Sequence, residues 1–148
     1  YIHLKMKDID KYTKLDNGYY LNSGAPHHVK FVNGELLHVN IIKEYKNIRK
    51  HNFYKKKLCN INLVSIEGEK TISIRTFEKG VNRETLSCGT GAVASVVATS
   101  IKKNLVINSV KTKGGKLKVI FNKNKKDKFS DIYLIGSPQE VFRGKINL

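Results

Sequence analysis

With 148 residues and 40% apolar content, the chain suits one folded domain over residues 1–148, with a single core burying most of the unfolded surface. Its formal charge of +16 raises nucleic-acid binding. However, 24 of the 28 basic residues are Lys, scattered through every segment, and only 4 are Arg, the type that grips bases and phosphates bidentately, so with 14 Asn and 15 Ile the excess reads as compositional bias. The longest apolar run, Ala92 to Ala98, is too short for a membrane span, no secretory leader opens the chain, and the two cysteines lack both the number for a disulfide framework and the spacing of a metal site. A soluble, cytoplasmic protein with free thiols and neither a metal nor a nucleic-acid partner is expected.

Tyr1 to Lys7 alternates Ile2, Leu4 and Met6 with polar residues, which predicts a half-buried strand; a sequence that opens in a strand reads as part of a longer chain. Asp16-Asn17-Gly18 before Tyr19-Tyr20-Leu21 predicts a hairpin, and a Gly- and Pro-bearing loop leads into a strand from His28 to Val32. Val39, Ile42, Tyr45 and Ile48 recur at helical spacing, predicting a surface helix from Val39 to Lys50. Asn60 to Glu67 and Lys70 to Glu78 form a second expected hairpin about Gly68.

Ala92 to Lys103 carries small and β-branched residues on nearly all sides, the pattern of a helix buried all round, with Cys88-Gly-Thr-Gly91 as its opening turn. Strands follow at Val106 to Lys111, Lys116 to Asn122, Ile132 to Gly136 and Gln139 to Leu148, with Lys123 to Lys128 as a solvated loop. Many strands and one buried helix predict an α+β fold in which a curved sheet wraps around a central helix.

Chemistry concentrates at Cys88. A cysteine at the start of a buried helix faces backbone N–H groups without intrahelical partners and the positive end of the dipole, which favours thiolate and suits the residue to proton transfer or nucleophilic attack. Cys59, which has no such position, is the expected spectator. Gly89 and Gly91 leave the amides uncovered for a carboxylate or oxyanion. On the tetrapeptide alone, a merely tight glycine-rich helix start accounts for it equally well.

The wider segment Arg75-Thr-Phe-Glu-Lys-Gly-Val-Asn-Arg-Glu-Thr-Leu-Ser-Cys-Gly-Thr-Gly-Ala92 resembles the surroundings of the second catalytic cysteine of diaminopimelate epimerases, where E-R-G, E-T and C-G-S/T-G-A follow a strand. Gly24-Ala-Pro-His27 with Val29 is similar to that family's G-N-P-H-x-V loop, and Asn60-Ile-Asn62 falls at its T-N-x-N stretch. The resemblance covers essentially the whole chain.

What it implies is cofactor-free, pyridoxal-independent inversion at the α-carbon between LL- and meso-diaminopimelate, a step towards lysine and peptidoglycan precursors. The family fold has two similar halves, each a barrel-like sheet around a helix, and each half contributes one cysteine. This chain would be the C-terminal half, inactive alone. Its expected partners are a diamino-dicarboxylate substrate, an N-terminal half with the other cysteine, and a second copy in a dimer.

Carried over by position, Cys88 is the acid or base, His27 tunes the cysteine pair, Gly89 and Thr90 bind the α-carboxylate through their amides, Asn60, Glu78 and Lys79 meet the distal end of the substrate, and Glu78 counts with Cys88 and His27 among the catalytic residues. Each has a plain alternative: His27 as a loop residue, Glu78 as a strand-end charge beside Lys79, Asn60 as a bend former. Glu84 and Thr85 are expected to support the helix start as caps. Three positions depart from the pattern. Ala25 replaces an asparagine, Lys79 replaces an arginine and loses its planar fork, and Cys59 replaces a threonine. A proline- or hydroxyproline-type racemase is the alternative enzyme, and a basic, non-catalytic binding module on the same fold is the alternative outside enzymology.

Overall fold

The protein is described by a computed structural model over residues 1–147. Ten strands form one mixed sheet: β1 (Ile2–Lys5), β2 (Tyr12–Leu15), β3 (Gly18–Asn22), β4 (Pro26–Phe31), β5 (Asn60–Ile66), β6 (Thr71–Glu78), β7 (Arg83–Thr85), β8 (Ser109–Thr112), β9 (Gly115–Lys123) and β10 (Phe129–Gly136). Their spatial order is β1-β10-β9-β8-β6-β5-β4-β3-β2, with β7 also paired to β6. The pairs β4 with β5 and β6 with β8 are parallel; the others are antiparallel. Helix α1 (Ile41–Arg49) joins β4 to β5, and α2 (Gly89–Lys103) joins β7 to β8.

The sheet curls around α2, which touches β3, β4, β5, β6, β9 and β10. Every residue from Gly91 to Ser100 is buried. Ala, Val, Ser and Thr permit that enclosure because short side chains let strands approach on several sides, while Ser95 and Thr99 donate their hydroxyls to the carbonyls of Gly91 and Ser95, both at 2.7 Å. Asn104, in a left-handed conformation at φ 53°, ends the helix.

Two buried clusters replace the single core expected from composition. One unites α2 with Tyr19, Leu21, Val29, Val64, Ile72 and Ile132. The other, made by Leu36, Ile41, Ile48, Tyr54, Cys59, Ile61, Leu63 and Phe77, lies on the opposite face. Strand periodicity explains the split: along β5, Ile61 and Leu63 face one cluster and Val64 the other, so the strand is covered on both sides. Helix α1 starts at Ile41 rather than Val39 because the Asn40 side chain caps it, accepting from the Lys43 amide at 3.0 Å. Tyr45 stacks on Phe77 at 4.2 Å between ring centroids, anchoring α1 over β6.

Both predicted hairpins form, β2–β3 at Asp16-Asn17 and β5–β6 around Gly68. Two strand expectations change. β1 forms, but all four of its residues are exposed, since it lies at the sheet edge beyond the reach of α2. Residues 139–147 form no strand: β1 already occupies the ladder beside β10, from Ile2 opposite Gly136 to Lys5 opposite Tyr133. Leu148, the last residue of that expected strand, lies outside the described residues. Among the described residues no helix is long and apolar enough to cross a membrane.

Gly18 occupies a position that excludes side chains. Its φ is +152°, and a Cβ there would lie 2.2 Å from the Val29 carbonyl oxygen and 2.8 Å from His28 Nε2. Gly18→Ala is expected to cost on the order of 3 kcal/mol in denaturant unfolding, because the obstructing atom is backbone and the sheet must shift. A loss below about 1 kcal/mol would contradict that close approach.

Candidate active site

The residues singled out from the sequence converge on one end of the sheet, where β4 and β5 begin, β6 ends and α2 starts. Cys88 is the N-cap of α2 and is 8% exposed; its carbonyl accepts the first helical bond from the Ala92 amide at 2.9 Å. The amides of Gly89, Thr90 and Gly91 open the helix and by position have no intrahelical acceptor. Gly89 and Gly91 cannot carry a Cβ without displacement: at Gly89 it would meet Leu134 at 2.7 Å, and at Gly91 it would meet Asn62 Oδ1 at 2.5 Å and Cys88 Sγ at 3.3 Å. The opening turn is therefore packed on both sides, which fixes the sulfur relative to the helix axis.

His27, fully buried at the start of β4, reaches across to the helix, with its Nε2 2.8 Å from Thr90 Oγ1. Thr90 Oγ1 in turn lies 3.5 Å from Cys88 Sγ. Ser23 donates to the Thr90 carbonyl at 2.7 Å, so the loop before β4 also grips this turn. Glu78, half-buried at the end of β6, accepts from the Thr85 hydroxyl at 2.6 Å and lies beside Cys88. Asn60, nearly buried, accepts the Lys79 amide at 3.1 Å, and Lys79 Nζ donates to the Leu58 carbonyl at 3.3 Å. Thus Cys88, His27, Thr90, Gly89, Glu78, Asn60 and Lys79 share one end of the sheet.

The electrostatic balance at the sulfur differs from the expectation. Burial pushes the Cys88 thiol above its ordinary value; the Thr90 hydroxyl and the Gly91 amide pull it back, and the Glu78 carboxyl raises it again. The helix start supplies the expected donors, yet desolvation outweighs them. His27 is depressed to about 4, first by burial and then by the Lys79 ammonium, so its ring is neutral at physiological pH. Cys59 lies among the residues of the opposite face near Tyr54, and burial pushes its thiol to about 11. The two cysteines are free.

Glu84 and Thr85 do not cap the helix. Glu84 sits in β7 opposite Phe77 and takes a two-pronged bond from Arg75, at 2.7 and 2.9 Å, plus Lys113 at 2.9 Å. Arg75 also donates to the carbonyls of Leu36 and Val39. Pairing of β7 with β6 turns Glu84 towards Arg75 and leaves Thr85 bonded to Glu78. Two residues without an assigned role from the sequence join the site: Asn62 Nδ2 lies 2.8 Å from His27 Nδ1, and Thr76 donates to Asn62 Oδ1 at 2.9 Å. Asn62 stood in the quoted motif, and its even register along β5 with Val64 was the available signal. Two surface clefts of about 520 Å³ each, one along Leu36, Ser65 and Arg75 and one along Phe31, Val64 and Lys103, lie away from Cys88.

The family model described as diaminopimelate epimerase matches residues 19–141. The diaminopimelate epimerase of Flavobacterium psychrophilum is 39% identical over 147 residues, covering 98% of this chain and 57% of that protein. That of Aquifex aeolicus is 36% identical over 133 residues, covering 88% and 46%. The chain thus spans about half the length of these relatives. Among solved structures, a phenazine biosynthesis protein of the PhzF family from Bacillus anthracis aligns at a TM-score of 0.48 and 19% identity, covering 86% of this chain and 38% of that one.

Proposed function

The chain belongs to the diaminopimelate epimerase family, and from that premise we propose that it supplies one half of a cofactor-independent epimerase converting LL-diaminopimelate to meso-diaminopimelate. The observation that carries the proposal is the setting of Cys88: a sulfur at the N-cap of a buried helix, with His27, Thr90 and Glu78 gathered around it.

Cys88 Sγ exchanges a proton with the α-carbon on one face of the substrate. The α-carboxylate rests against the amides of Gly89 and Thr90, at the positive end of α2, so part of the carbanion's charge is met by fixed dipoles. Because burial keeps Cys88 a thiol at rest, it acts first as the acid that returns a proton, and as the base in the reverse direction. Asn60 and Lys79 hold the distal amino-acid end, with the single ammonium of Lys79 giving a less directional grip than an arginine fork, while Glu78 stands beside the sulfur at the reacting end. The opposite face is served by a second cysteine in an N-terminal half, which accords with the share of the relatives that this chain spans.

Three of the four arginines are already engaged, Arg49 with backbone carbonyls, Arg75 with Glu84 and Arg143 with Glu140, which weakens the case for a nucleic-acid module. The test is conversion of LL- to meso-diaminopimelate by this chain alone and when joined to an N-terminal half bearing the second cysteine. No turnover alone and turnover when joined is expected. Turnover by this chain alone would refute the half-site reading, and turnover of proline or hydroxyproline in preference to diaminopimelate would move the assignment to that racemase class.

A further inference from the structure

We propose that Asn62 and Thr76, two buried strand residues, are positioning residues that lock His27 as the Nε2–H tautomer and thereby turn the Thr90 hydroxyl onto the Cys88 sulfur as a hydrogen-bond donor. The proposal rests on the reading of Cys88 as the acid/base group, and adds to it how the resting sulfur is set.

The direction of each bond follows from what each group can donate. The Asn62 amide nitrogen lies 3.4 Å from the His28 carbonyl oxygen, which only accepts, and the Thr76 hydroxyl meets the Asn62 oxygen at 2.9 Å. That places the NH2 of Asn62 towards His27 Nδ1, at 2.8 Å, and makes Nδ1 an acceptor. A neutral imidazole carries one N–H, so the hydrogen is on Nε2, where it donates to Thr90 Oγ1 at 2.8 Å. With one lone pair of Thr90 Oγ1 taken, its own hydrogen is free to point elsewhere, and Cys88 Sγ stands 3.5 Å away.

The bonds Thr76 to Asn62, Asn62 to His27, His27 to Thr90 and Thr90 to Cys88 therefore run in one direction, each donating towards the sulfur. Asn62, Thr76 and His27 are all at most 3% exposed, so water does not compete for these atoms. The Gly91 amide at the helix start also favours the thiolate, which fits a site that stabilises thiolate at the moment it forms while burial favours thiol at rest. The opposite tautomer would leave Nε2 as an acceptor, claim the Thr90 hydrogen and remove the donor from Sγ.

The experiment has two readouts, both on the intact protein. Nitrogen-15 NMR of the His27 ring at neutral pH reads the tautomer directly; Nε2–H is expected, and Nδ1–H would overturn the proposal without recourse to any variant. The second is the pH profile of Cys88 alkylation, followed by mass spectrometry of the Cys88 peptide. Thr90→Val, which keeps shape and loses the hydroxyl, should slow alkylation about tenfold below the thiol pKa, and Thr90→Ser should restore it to within about threefold.

Asn62→Asp, whose carboxylate draws the proton to Nδ1, should slow Cys88 about as much as Thr90→Val does, and should add little when Thr90 is already Val. If Asn62→Asp acts equally with and without the Thr90 hydroxyl, its effect is charge alone and the relay is refuted. Thr76→Val is the milder variant should Asn62→Asp not fold, with a smaller shift in the same direction. Neither readout needs turnover: if α-proton exchange proves independent of Cys88, the epimerase reading fails while tautomer and thiol profile still decide the relay.

Discussion

Cys88→Ala in this chain joined to an N-terminal half bearing the second cysteine is expected to lower α-proton exchange and epimerisation of diaminopimelate by about 10³-fold or more, since a methyl group can neither hold nor return a proton and general acid–base catalysis contributes roughly 10²–10⁴-fold. The fold should survive the change. Cys88 is 8% exposed and its lost contacts are the Thr90 hydroxyl and the turn at Gly91, so the stability cost should be about 1 kcal/mol. Circular dichroism and thermal unfolding beside the kinetic assay separate lost chemistry from lost structure. Cys59→Ala provides the contrast: buried on the opposite face beside Tyr54, it should cost stability and leave exchange within about threefold. A drop below tenfold for Cys88→Ala would remove the sulfur from the reaction.

The second large effect is on stability in acid. His27 and His28 are adjacent on β4, point to opposite faces and are both fully buried; burial depresses each to about 4. His28 Nδ1 is paired with the Tyr54 hydroxyl at 2.6 Å, and burial of the ring outweighs the Asn17 backbone, which favours the charged form. In the unfolded chain both rings titrate near 6.5, so between that value and about 4 the unfolded state binds more protons than the native one. The stabilisation is present in full above about 6.5 and is lost as the pH falls.

Two such groups sum to about 5 kcal/mol lost between pH 7 and pH 4.5, comparable with the whole stability of an average domain. Denaturant unfolding across that range checks it. His28→Gln should roughly halve the slope, and a flat profile down to pH 5 would show that the rings are accessible.

Much of the fold was legible because local chemistry and tertiary demand agree. Asp16-Asn17 and Gly68 make turns in any context, and the run of small residues after Gly91 has no polar face to offer solvent. What the sequence did not reveal depends on distant pairing. β1 alternates as a half-buried strand would, but its place at the edge leaves both faces exposed, and by filling that edge it also leaves residues 139–147 without a ladder. Glu84 carries the chemistry of a helix cap, yet Arg75 lies across the β6–β7 pair and claims it.

At the candidate site, Cys88, Gly89 and Gly91 were legible from the opening turn, while Thr90, His27, Glu78, Asn60 and Lys79 came from a resemblance and the fold brings them to the same end of the sheet. Asn62 and Thr76 escaped notice because an asparagine and a threonine in strands carry no signal until the register faces them to His27. The raised thiol escaped for a similar reason: the helix start is local, whereas the burial that outweighs it comes from the whole sheet.

The central claim, that Cys88 is the proton carrier for one face of the substrate, is tested most directly by titrating that sulfur while watching the α-carbon. This chain joined to an N-terminal half bearing the second cysteine is alkylated stepwise, modification of Cys88 and of that second cysteine is read separately by mass spectrometry, and deuterium uptake from D2O into diaminopimelate is followed by NMR in the same samples. Exchange that falls in proportion to Cys88 modification, and is preserved when substrate shields the thiol, is the predicted result. Exchange that persists with Cys88 fully alkylated would contradict it.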